Sequence, residues 1–490
     1  MLVINLEGHE NYYGIADVIR AFYSHPVEDK DNHRVTCEEA PDMTLCSAIG
    51  DGFTKCFSED RTIDVELPFV TSPYSAGREV KRSVYKAVSK VAGKDVPWGC
   101  LTGIRPTLVA GEEADAQSLA DKYFVRPDKA ELALVTGKNE QRILSLIPQE
   151  DINIYVGIPF CPSRCEYCSF VSADINHHMG RLDSYLDSLE GEIRYVAPGL
   201  GRKTGTLYVG GGTPTVFSDS GFDRLLDIIA GNIKITDGTE ITVEAGRADT
   251  ITEHKLASMR DHGIKRICIN PQTMNSDTLA KLNRRHTAED TVKAYELARQ
   301  IGFDVINMDL IAGLKYETSA DFADSVRKLI ELAPENITVH TLYKKRRAAI
   351  SAKDVLKDDS GDVDKAVSEG YALLEEAGYI PYYLYRQKDT GHGLENVGFA
   401  KKGTECLYNV AMMTDARDVL SFGAGGMSKR VFEQTGSKYR VERCSCIKDV
   451  IGYIDSWQDM AERKSRFFDI MRAKQKQYKR TSSDLPEMQD

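Results

Sequence analysis

Three cysteines stand close together in the chain, namely Cys161, Cys165 and Cys168. No other cysteine lies between Cys100 and Cys268, so the three form a group of their own. Thiolates at the spacing Cys-x3-Cys-x2-Cys can hold three irons of a cubane and leave the fourth iron open to another ligand. The spacing therefore predicts a site-differentiated [4Fe–4S] cluster on these three residues.

Two other interpretations of the three cysteines are weaker. A structural zinc site needs four ligands, and the nearest candidates, His177 and His178, have no usual zinc spacing. Cysteines that act as small buried hydrophobes would suit a core strand, whereas Pro162, Ser163 and Arg164 make this segment a polar loop. The other eight cysteines lack such grouping and are interpreted as structural.

A glycine-rich run, Gly210-Gly211-Gly212-Thr213-Pro214-Thr215, is the second feature that could do chemistry. Consecutive glycines let the backbone approach a ligand closely, so that carbonyls and amides can meet an ammonium or a carboxylate. Polar residues also stand at the ends of the neighbouring apolar runs: Glu244, Arg247, Asn270, Gln272, Asp309 and His340. Two acids, an amide and a guanidinium at one end of a sheet suit a zwitterionic, ribose-bearing cofactor.

These residues belong to a regular alternation of two patterns. Six near-continuous apolar runs predict buried parallel strands: INIYVGIP, GTLYVGGG, EITVEAG, RICIN, VINMDLI and ITVHTL. Amphipathic stretches between the runs predict helices at 180–197, 219–232, 252–263, 276–301 and 319–333. Six strand and helix units in succession predict an α/β fold with a partial (β/α)6 barrel, whose ligands would lie at the C-terminal ends of the strands.

The barrel accounts for residues 151–345, and the flanking regions have other patterns. Residues 1–150 predict a separate N-terminal α+β domain of unknown role, with a basic amphipathic helix in REVKRSVYKAVSKVAGK. The motif LTGIRPT at 101–107 predicts an ordered loop that faces the next domain. Residues 346–490 predict a C-terminal α+β extension that covers the substrate, with a helix at 364–377, a strand at YIPYYLYRQ and a helix at 452–476.

Composition excludes some classes of protein. The length of 490 residues implies two or three domains. The chain has 63 basic and 74 acidic residues, and the resulting net charge of -11 argues against non-specific nucleic-acid binding. No apolar run approaches the roughly 18 residues of a membrane span, and the N-terminus lacks the pattern of a signal peptide. We therefore expect a cytoplasmic protein without a membrane span.

Several motifs, in this order and spacing, resemble the oxygen-independent coproporphyrinogen III oxidase family of radical S-adenosylmethionine (SAM) enzymes: YVGIPFCPSRCEYC, LYVGGGTPT, VEAGR, NPQTMNSDTLAKLNRRHT and NMDLIAGL. The resemblance covers about 150–345 closely and the C-terminal part more loosely. VEAGR and the LTGIRPT motif in a long N-terminal extension are similar to the coproporphyrinogen dehydrogenase branch in particular.

The resemblance implies a [4Fe–4S] cluster, one or two SAM molecules and a role for individual residues. Tyr155, Glu244 and Arg247 would be catalytic. Arg284 would lie on the helix that follows the Gln272 loop. The residues around SAM would be Tyr155, Tyr167, Gly211, Gly212, Thr213, Glu244, Gln272, Arg284 and Asp309. The implied reaction removes a hydrogen atom from a propionate side chain, releases carbon dioxide and leaves a vinyl group. The implied partners are a tetrapyrrole substrate and a reductase, flavodoxin or ferredoxin as electron donor.

One departure keeps other functions open. In the decarboxylases of this family Gly-Cys follows the third cluster cysteine, whereas this chain has Ser169-Phe170, as in relatives that traffic haem. The alternatives are a haem-binding chaperone of the same fold and a radical methyl- or alkyltransferase that acts on a tetrapyrrole. For the four propionates of coproporphyrinogen, the available guanidinium groups are those of Arg247, Arg284, Arg285, Arg346 and Arg347.

Overall fold

The N-terminal part of the molecule is an α+β unit. The computed structural model describes residues 1–71, 75–168, 173–342, 360–387, 393–432 and 440–470. Six strands form one sheet in the order β2-β3-β1-β4-β5-β6: β1 (Leu2–Glu7), β2 (Val27–Asp29), β3 (Arg34–Cys37), β4 (Met43–Ile49), β5 (Phe53–Ser58) and β6 (Asp64–Pro68). The helices of this part are α1 (Tyr12–Arg20), α2 (Ala76–Ala92), α3 (Pro106–Ala110), α4 (Ala116–Tyr123) and α5 (Pro127–Leu144). The predicted basic amphipathic helix is α2, which buries Val80, Val84 and Val88 at helical spacing.

The central part has the predicted strands. Its strands are β7 (Ile152–Ile158), β8 (Phe160–Cys161), β9 (Ala173–Asp174), β10 (Thr204–Gly211), β11 (Glu240–Gly246), β12 (Arg266–Ile269), β13 (Val305–Ala312) and β14 (Asn336–Thr341). All of these except β8 and β9, which pair only with each other, lie side by side in chain order and run parallel. The helices that alternate with them are α6 (Leu182–Val196), α7 (Asp219–Asn232), α8 (Glu253–Asp261), α9 (Ser276–Lys281), α10 (Ala288–Ile301) and α11 (Ser319–Leu332). This arrangement confirms the partial (β/α)6 barrel.

One predicted helix is wrong. The stretch 276–301 is not continuous, because α9 ends at Lys281 and α10 begins at Ala288. Asn283 adopts φ +61, a left-handed conformation that ends a helix, and Thr287 with Asp290 forms a capping box that starts the next one. Arg284 therefore lies in the connection between two helices and not on a helix.

The C-terminal extension widens the sheet at both of its edges. It comprises α12 (Ser360–Glu376), β15 (Ile380–Arg386), β16 (Glu395–Ala400), α13 (Leu407–Met413), β17 (Val419–Phe422), β18 (Met427–Phe432), β19 (Arg440–Ser445) and α14 (Val450–Phe467). The result is an eleven-stranded open sheet in the order β15-β16-β14-β13-β12-β11-β10-β7-β17-β18-β19. The predicted last helix, 452–476, ends earlier than predicted, because α14 stops at Phe467 and Asp469 adopts the left-handed φ +58. Residues 471–476 lie outside the described residues.

The edge strand β15 is covered by the N-terminal part. The backbone N–H of Arg386 donates to the carbonyl of Ile104 at 2.7 Å, and that of Leu384 donates to the Glu140 carboxylate at 3.2 Å. Asn139 donates its amide to the Pro381 carbonyl at 2.8 Å. Residues 101–105 of LTGIRPT are thus an ordered loop against the barrel sheet, as predicted, whereas Pro106 already starts α3. These contacts give hydrogen-bond partners to backbone N–H and C=O groups that an uncovered edge strand would leave unpaired.

None of the helices that the structure describes is both long and apolar enough to cross a membrane.

Candidate active site

The cysteine loop begins at the C-terminal end of the first barrel strand. Cys161 ends the two-residue strand β8, Cys165 is buried and Cys168 is partly exposed. The loop is fixed to the α9–α10 connection, because Ser163 donates its hydroxyl to the Asn283 carbonyl and Asn283 donates its amide to the Arg164 carbonyl, each at 3.1 Å. No disulfide forms among the described cysteines. The thiols are therefore held on an ordered loop at the mouth of the barrel.

The surroundings of the thiols suit thiolate ligands of a cluster. Thr213 donates its hydroxyl to the Cys161 Sγ at 3.6 Å, and Arg284 Nη1 lies 3.9 Å from the Cys165 Sγ. A Cβ on Gly212 would lie 3.0 Å from the Cys161 Sγ and 2.4 Å from the Phe160 carbonyl oxygen, so only glycine leaves this space. Donors to sulfur and a cradle beside it fit an iron–sulfur cluster, whose properties depend on such hydrogen bonds.

The described residues contain no group of three His, Cys, Asp or Glu side chains that converges on one metal ion. A cubane binds each of three thiolates to a different iron, so its ligands need not converge on a single point. The three cysteines stay the predicted ligands of such a cluster.

The glycine run leaves the C-terminal end of β10 in a tight turn that lies against the cysteine loop. Gly211 has φ +115, and the N–H groups of Gly212 and Thr213 donate to the Ile158 and Phe160 carbonyls at 2.7 Å each. A Cβ on Gly210 would lie 2.8 Å from the Glu244 Cδ. The turn therefore brings the backbone of the predicted SAM loop against both Cys161 and Glu244.

Glu244 lies inside the barrel at the end of β11. Its carboxylate accepts hydrogen bonds from the Tyr208 hydroxyl at 2.8 Å and the Gly211 N–H at 3.1 Å. Burial raises the pKa of Glu244 to about 7, and the negative charge of Asp309 acts in the same direction, while these two hydrogen bonds and His340 oppose the rise. An acid with this pKa changes charge near neutral pH and suits an ammonium partner.

Asp309 faces the same lumen from β13. Asn307 donates its amide to the Asp309 carboxylate at 2.7 Å, and the His340 Nε2 lies 3.6 Å from the other oxygen. Gln272 is held beside this strand, because its N–H donates to the Asp309 carbonyl and its own carbonyl accepts from Ile311, each at 2.9 Å. Gln272 adopts the left-handed φ +73. Asn270, two residues earlier, has a buried Oδ1 without a hydrogen-bond partner among the described residues. A ligand with hydroxyl or ammonium donors would satisfy such acceptors.

Three tyrosine rings line the lumen below these acids. The ring centroids of Tyr155 lie 6.3 Å from Tyr208 and 6.2 Å from Tyr408, and those of Tyr208 and Tyr408 are 4.7 Å apart. Burial raises the pKa of all three hydroxyls, so they stay protonated donors at neutral pH. Tyr208 and Tyr408 were not predicted from the sequence. Tyr208 sits in the predicted strand GTLYVGGG, where alternation with buried neighbours could have indicated it, whereas Tyr408 reaches the lumen from the C-terminal helix α13.

Of the predicted arginines, Arg247 and Arg284 are buried and contact the protein itself, whereas Arg285 is exposed. Arg284 donates to the Tyr167 hydroxyl and to the Asn270 carbonyl at 2.7 Å each. Arg247 makes a two-pronged ion pair with Asp249, at 2.9 and 2.8 Å, and donates to the Ser163 hydroxyl at 2.8 Å. Tyr167 is thereby fixed beside Cys165, and its contact with SAM stays a prediction. Arg247 links the cysteine loop to the end of β11.

The network around Arg247 extends further than the sequence indicated. The buried His286 Nδ1 lies 3.3 Å from Asp249, and the Arg284 Nε lies 3.4 Å from the His286 Nε2. Hydrogen bonds from His286 and Arg247 hold the pKa of Asp249 well below its usual range despite its partial burial. The contact of Arg247 with a substrate carboxylate stays a prediction. Arg346 and Arg347 lie outside the described residues.

The fold and the site define a radical SAM protein. The family model of the Radical SAM superfamily matches residues 155–329. The structure is similar to that of coproporphyrinogen III oxidase (HemN) from Escherichia coli, with a TM-score of 0.52 at 24% identity, over 65% of this chain and 72% of that one. At this identity the likeness concerns the fold.

Relatives in sequence narrow the class. The chain is 34% identical over 443 residues to the oxygen-independent coproporphyrinogen-III oxidase-like protein HemZ of Bacillus subtilis, covering 86% of each chain. It is 29% identical over 307 residues to the heme chaperone HemW of Haemophilus influenzae, covering 62% of this chain and 76% of that one. The chain therefore belongs to the oxygen-independent coproporphyrinogen III oxidase-like family of radical SAM proteins. Its cofactors are those of the class, a [4Fe–4S] cluster and SAM.

Proposed function

We propose that this chain catalyses the oxygen-independent oxidative decarboxylation of coproporphyrinogen III, converting propionate side chains into the vinyl groups of protoporphyrinogen IX. The observation that supports it most is the arrangement of Glu244, Gln272 and Asp309 around one barrel mouth beside the cysteine loop. These groups can orient SAM for cleavage, which a protein that only carries a tetrapyrrole does not need. The resemblance to the oxidase-like relative spans most of the chain.

Each of these residues has a task in this proposal. The Glu244 carboxylate, once ionised, accepts the ammonium of SAM, and Asp309, oriented by Asn307, accepts from its ribose hydroxyls. Cys161, Cys165 and Cys168 would hold the cluster. When bound, the two cofactors supply the one-electron chemistry that removes a hydrogen atom from the substrate. The protein supplies orientation and excludes water from the mouth.

Arg247 and Arg284 act as positioning residues in this proposal. Because the Arg247 guanidinium already spans Asp249 and Ser163, it fixes the cysteine loop to the barrel. Arg284 fixes Tyr167 in the same way. A tetrapyrrole is the proposed substrate, and a reductase, flavodoxin or ferredoxin is the proposed electron donor.

A haem-binding chaperone is the second candidate. Ser169-Phe170 in place of Gly-Cys, together with the similarity to the heme chaperone HemW, favours it. The chain would then bind haem at the same barrel mouth and leave coproporphyrinogen III unchanged.

One anaerobic assay separates the two candidates. The reconstituted protein is incubated with SAM, a reductant and coproporphyrinogen III, and products are followed by mass spectrometry and by release of carbon dioxide. We expect one carbon dioxide and two hydrogens to be lost from each converted propionate, and about 100-fold less product with the Asp309→Asn variant. A protein that binds haem stoichiometrically and cleaves SAM but leaves coproporphyrinogen III unchanged would refute the decarboxylase proposal. A substrate that gains a methyl or 5′-deoxyadenosyl group would indicate the transferase instead.

A further inference from the structure

A basic patch lies on the outer side of the cysteine loop. We define it by the exposed side chains of Arg164, Lys281, Arg285 and Lys315, together with Tyr316, which is 38% exposed. The chain as a whole carries a net charge of -11, so the patch runs against the overall charge. The acids nearby in sequence are Glu166, which is partly buried, Asp277, which is exposed on α9, and three that accept hydrogen bonds from Ser276, Thr287 and Thr273, namely Glu289, Asp290 and Glu317. All the residues that define the patch are basic apart from Tyr316, so these residues give the patch a positive charge.

The patch is one side-chain layer away from the cysteine loop. Along the α9–α10 connection the side chains alternate, with Lys281, Asn283 and Arg285 exposed and Leu282 and Arg284 buried. Arg284 points inwards to the Cys165 Sγ and the Tyr167 hydroxyl. The next residue, Arg285, points to solvent. A partner bound to this face would therefore be separated from the proposed cluster ligands by a single layer of side chains, which includes Arg284.

Backbone contacts make the patch rigid relative to the cysteine loop. The Glu166 N–H donates to the Leu282 carbonyl at 3.4 Å, and Ser163 and Asn283 tie the two segments together from both directions. A fixed surface loses less conformational entropy on binding than a mobile one, which favours recognition.

An aromatic ring lies within the patch. The Lys281 ammonium is 5.3 Å and the Lys315 ammonium 5.4 Å from the centroid of the Tyr316 ring. An exposed tyrosine flanked by cations combines apolar contact area with charge, as protein interfaces do.

We infer that the basic patch is the docking surface for a small acidic one-electron carrier protein. The inference deepens the proposed function and rests on it only for the need of an electron supply. In the encounter, one electron leaves the reduced centre of the carrier and enters the cluster, so the carrier is oxidised by one electron, the cluster is reduced by one, and no bond forms or breaks. The positive charge of the basic patch, on the face outside the cysteine loop, would attract the acidic carrier and orient its reduced centre towards the cluster.

The test uses the full-length protein with its cluster and an acidic flavodoxin as the probe. The variant Lys281→Glu/Arg285→Glu reverses two exposed charges and touches neither cysteine nor Arg284. We expect its affinity for flavodoxin and the rate of cluster reduction by reduced flavodoxin to fall about tenfold or more at low salt, with a weaker salt dependence than in the wild type. Reduction by dithionite, followed by 5′-deoxyadenosine release without tetrapyrrole, should stay within about twofold of the wild type.

A matched control carries the same charge change elsewhere. Lys90 and Lys94 are exposed at and just beyond the end of α2, in the N-terminal part, and Lys90→Glu/Lys94→Glu should leave flavodoxin binding unchanged. If both double variants lower the affinity equally, the effect is one of net charge and the docking surface is refuted. An unchanged affinity in the Lys281→Glu/Arg285→Glu protein also refutes it, as does an equal loss of the dithionite reaction. Should that variant lose its cluster, Lys315→Glu, which lies on a different connection, makes the same comparison. Because none of these readouts uses coproporphyrinogen III, failure of the decarboxylase proposal would not affect them.

Discussion

The barrel mouth and the seam between the N-terminal part and the barrel are both polar, but their polar groups are used differently. At the seam, the buried Glu395 carboxylate receives the Lys129 ammonium and the Trp98 indole N–H, each at 2.7 Å. At the mouth, Glu244 has a raised pKa, Gln272 has a left-handed backbone and the Asn270 Oδ1 lacks a partner among the described residues. The Glu395 carboxylate is thus satisfied by residues of the protein itself. The seam also contains the Glu140 carboxyl, whose pKa burial likewise raises to about 7, and the Arg386 Nε, which has no hydrogen-bond partner among the described residues. The mouth is set apart by the left-handed backbone of Gln272 and by its position beside the cysteine loop.

The difference indicates which part carries stability and which part carries chemistry. Polar groups that satisfy each other stabilise a fold, while strained or unsatisfied groups concentrate at functional sites. The N-terminal part, which covers the edge of β15, is expected to contribute to folding and not to the reaction. Variants at the two regions should therefore fail in different measurements.

The largest effect is expected at the cysteines. Replacing Cys161, Cys165 or Cys168 by Ala should abolish the cluster and with it all SAM cleavage, because three thiolates are the minimum anchor. Iron and sulfide content after anaerobic reconstitution measures this. Cys268→Ala is the matched control, since Cys268 lies buried in β12, and it should keep a full cluster. Full iron retention in the Cys165→Ala protein would contradict the assignment.

The next largest effect is a loss of SAM cleavage when the hydrogen-bond acceptors of the barrel mouth are changed. Asp309→Asn and Gln272→Asn should keep the cluster and the melting temperature but lower 5′-deoxyadenosine release about 100-fold, because small displacements of a bound reactant cost that much. Asparagine is chosen at position 272 because it tolerates the left-handed backbone there. If these variants unfold while the remaining folded protein is fully active, the two residues are structural.

The seam should show the opposite behaviour. Lys129→Met leaves the buried Glu395 without its cation and should lower the free energy of unfolding by about 3–5 kcal/mol. Chemical denaturation measures this change. Arg194→Met, which removes one partner of an exposed pair with Glu190, should change stability by less than about 1 kcal/mol. SAM cleavage per folded molecule should stay normal in both variants, and a selective loss of it in Lys129→Met would break the distinction between the two regions.

The smallest effect is a pH dependence at the mouth. Because the pKa of Glu244 is raised to about 7, its carboxyl is neutral below and ionised above that pH, so SAM should bind several-fold more tightly at pH 8 than at pH 6. Without SAM, the same shift makes the folded protein lose stability as pH rises from about 4.5 to 7. Glu244→Gln should bind SAM weakly at both pH values and remove this part of the stability change. SAM titrations at the two pH values measure the affinity, and melting curves measure the stability. If Glu244→Gln responds to pH as the wild type does, a group other than Glu244 causes the pH dependence.

The sequence predicts the six barrel strands and most helices because buried parallel strands are continuously apolar and the alternating helices are amphipathic. It does not predict the break in 276–301, since the left-handed Asn283 and the cap at Thr287 compete with an otherwise helical pattern. The loops with Cys161 and Gly211 could be placed at one end of the sheet from topology alone. The inward position of Tyr408 and the contact of Arg247 with Ser163 depend on tertiary packing, which no local pattern encodes.

The central claim is that the barrel mouth joins a three-cysteine cluster to a SAM site. Electron paramagnetic resonance of the reduced, anaerobically reconstituted protein, recorded with and without SAM, tests it most directly. We predict about four irons and four sulfides per chain and a cluster signal that changes when SAM binds to the open iron, with a much smaller change in Glu244→Gln at the same SAM concentration. A full cluster whose signal does not respond to saturating SAM would contradict the account.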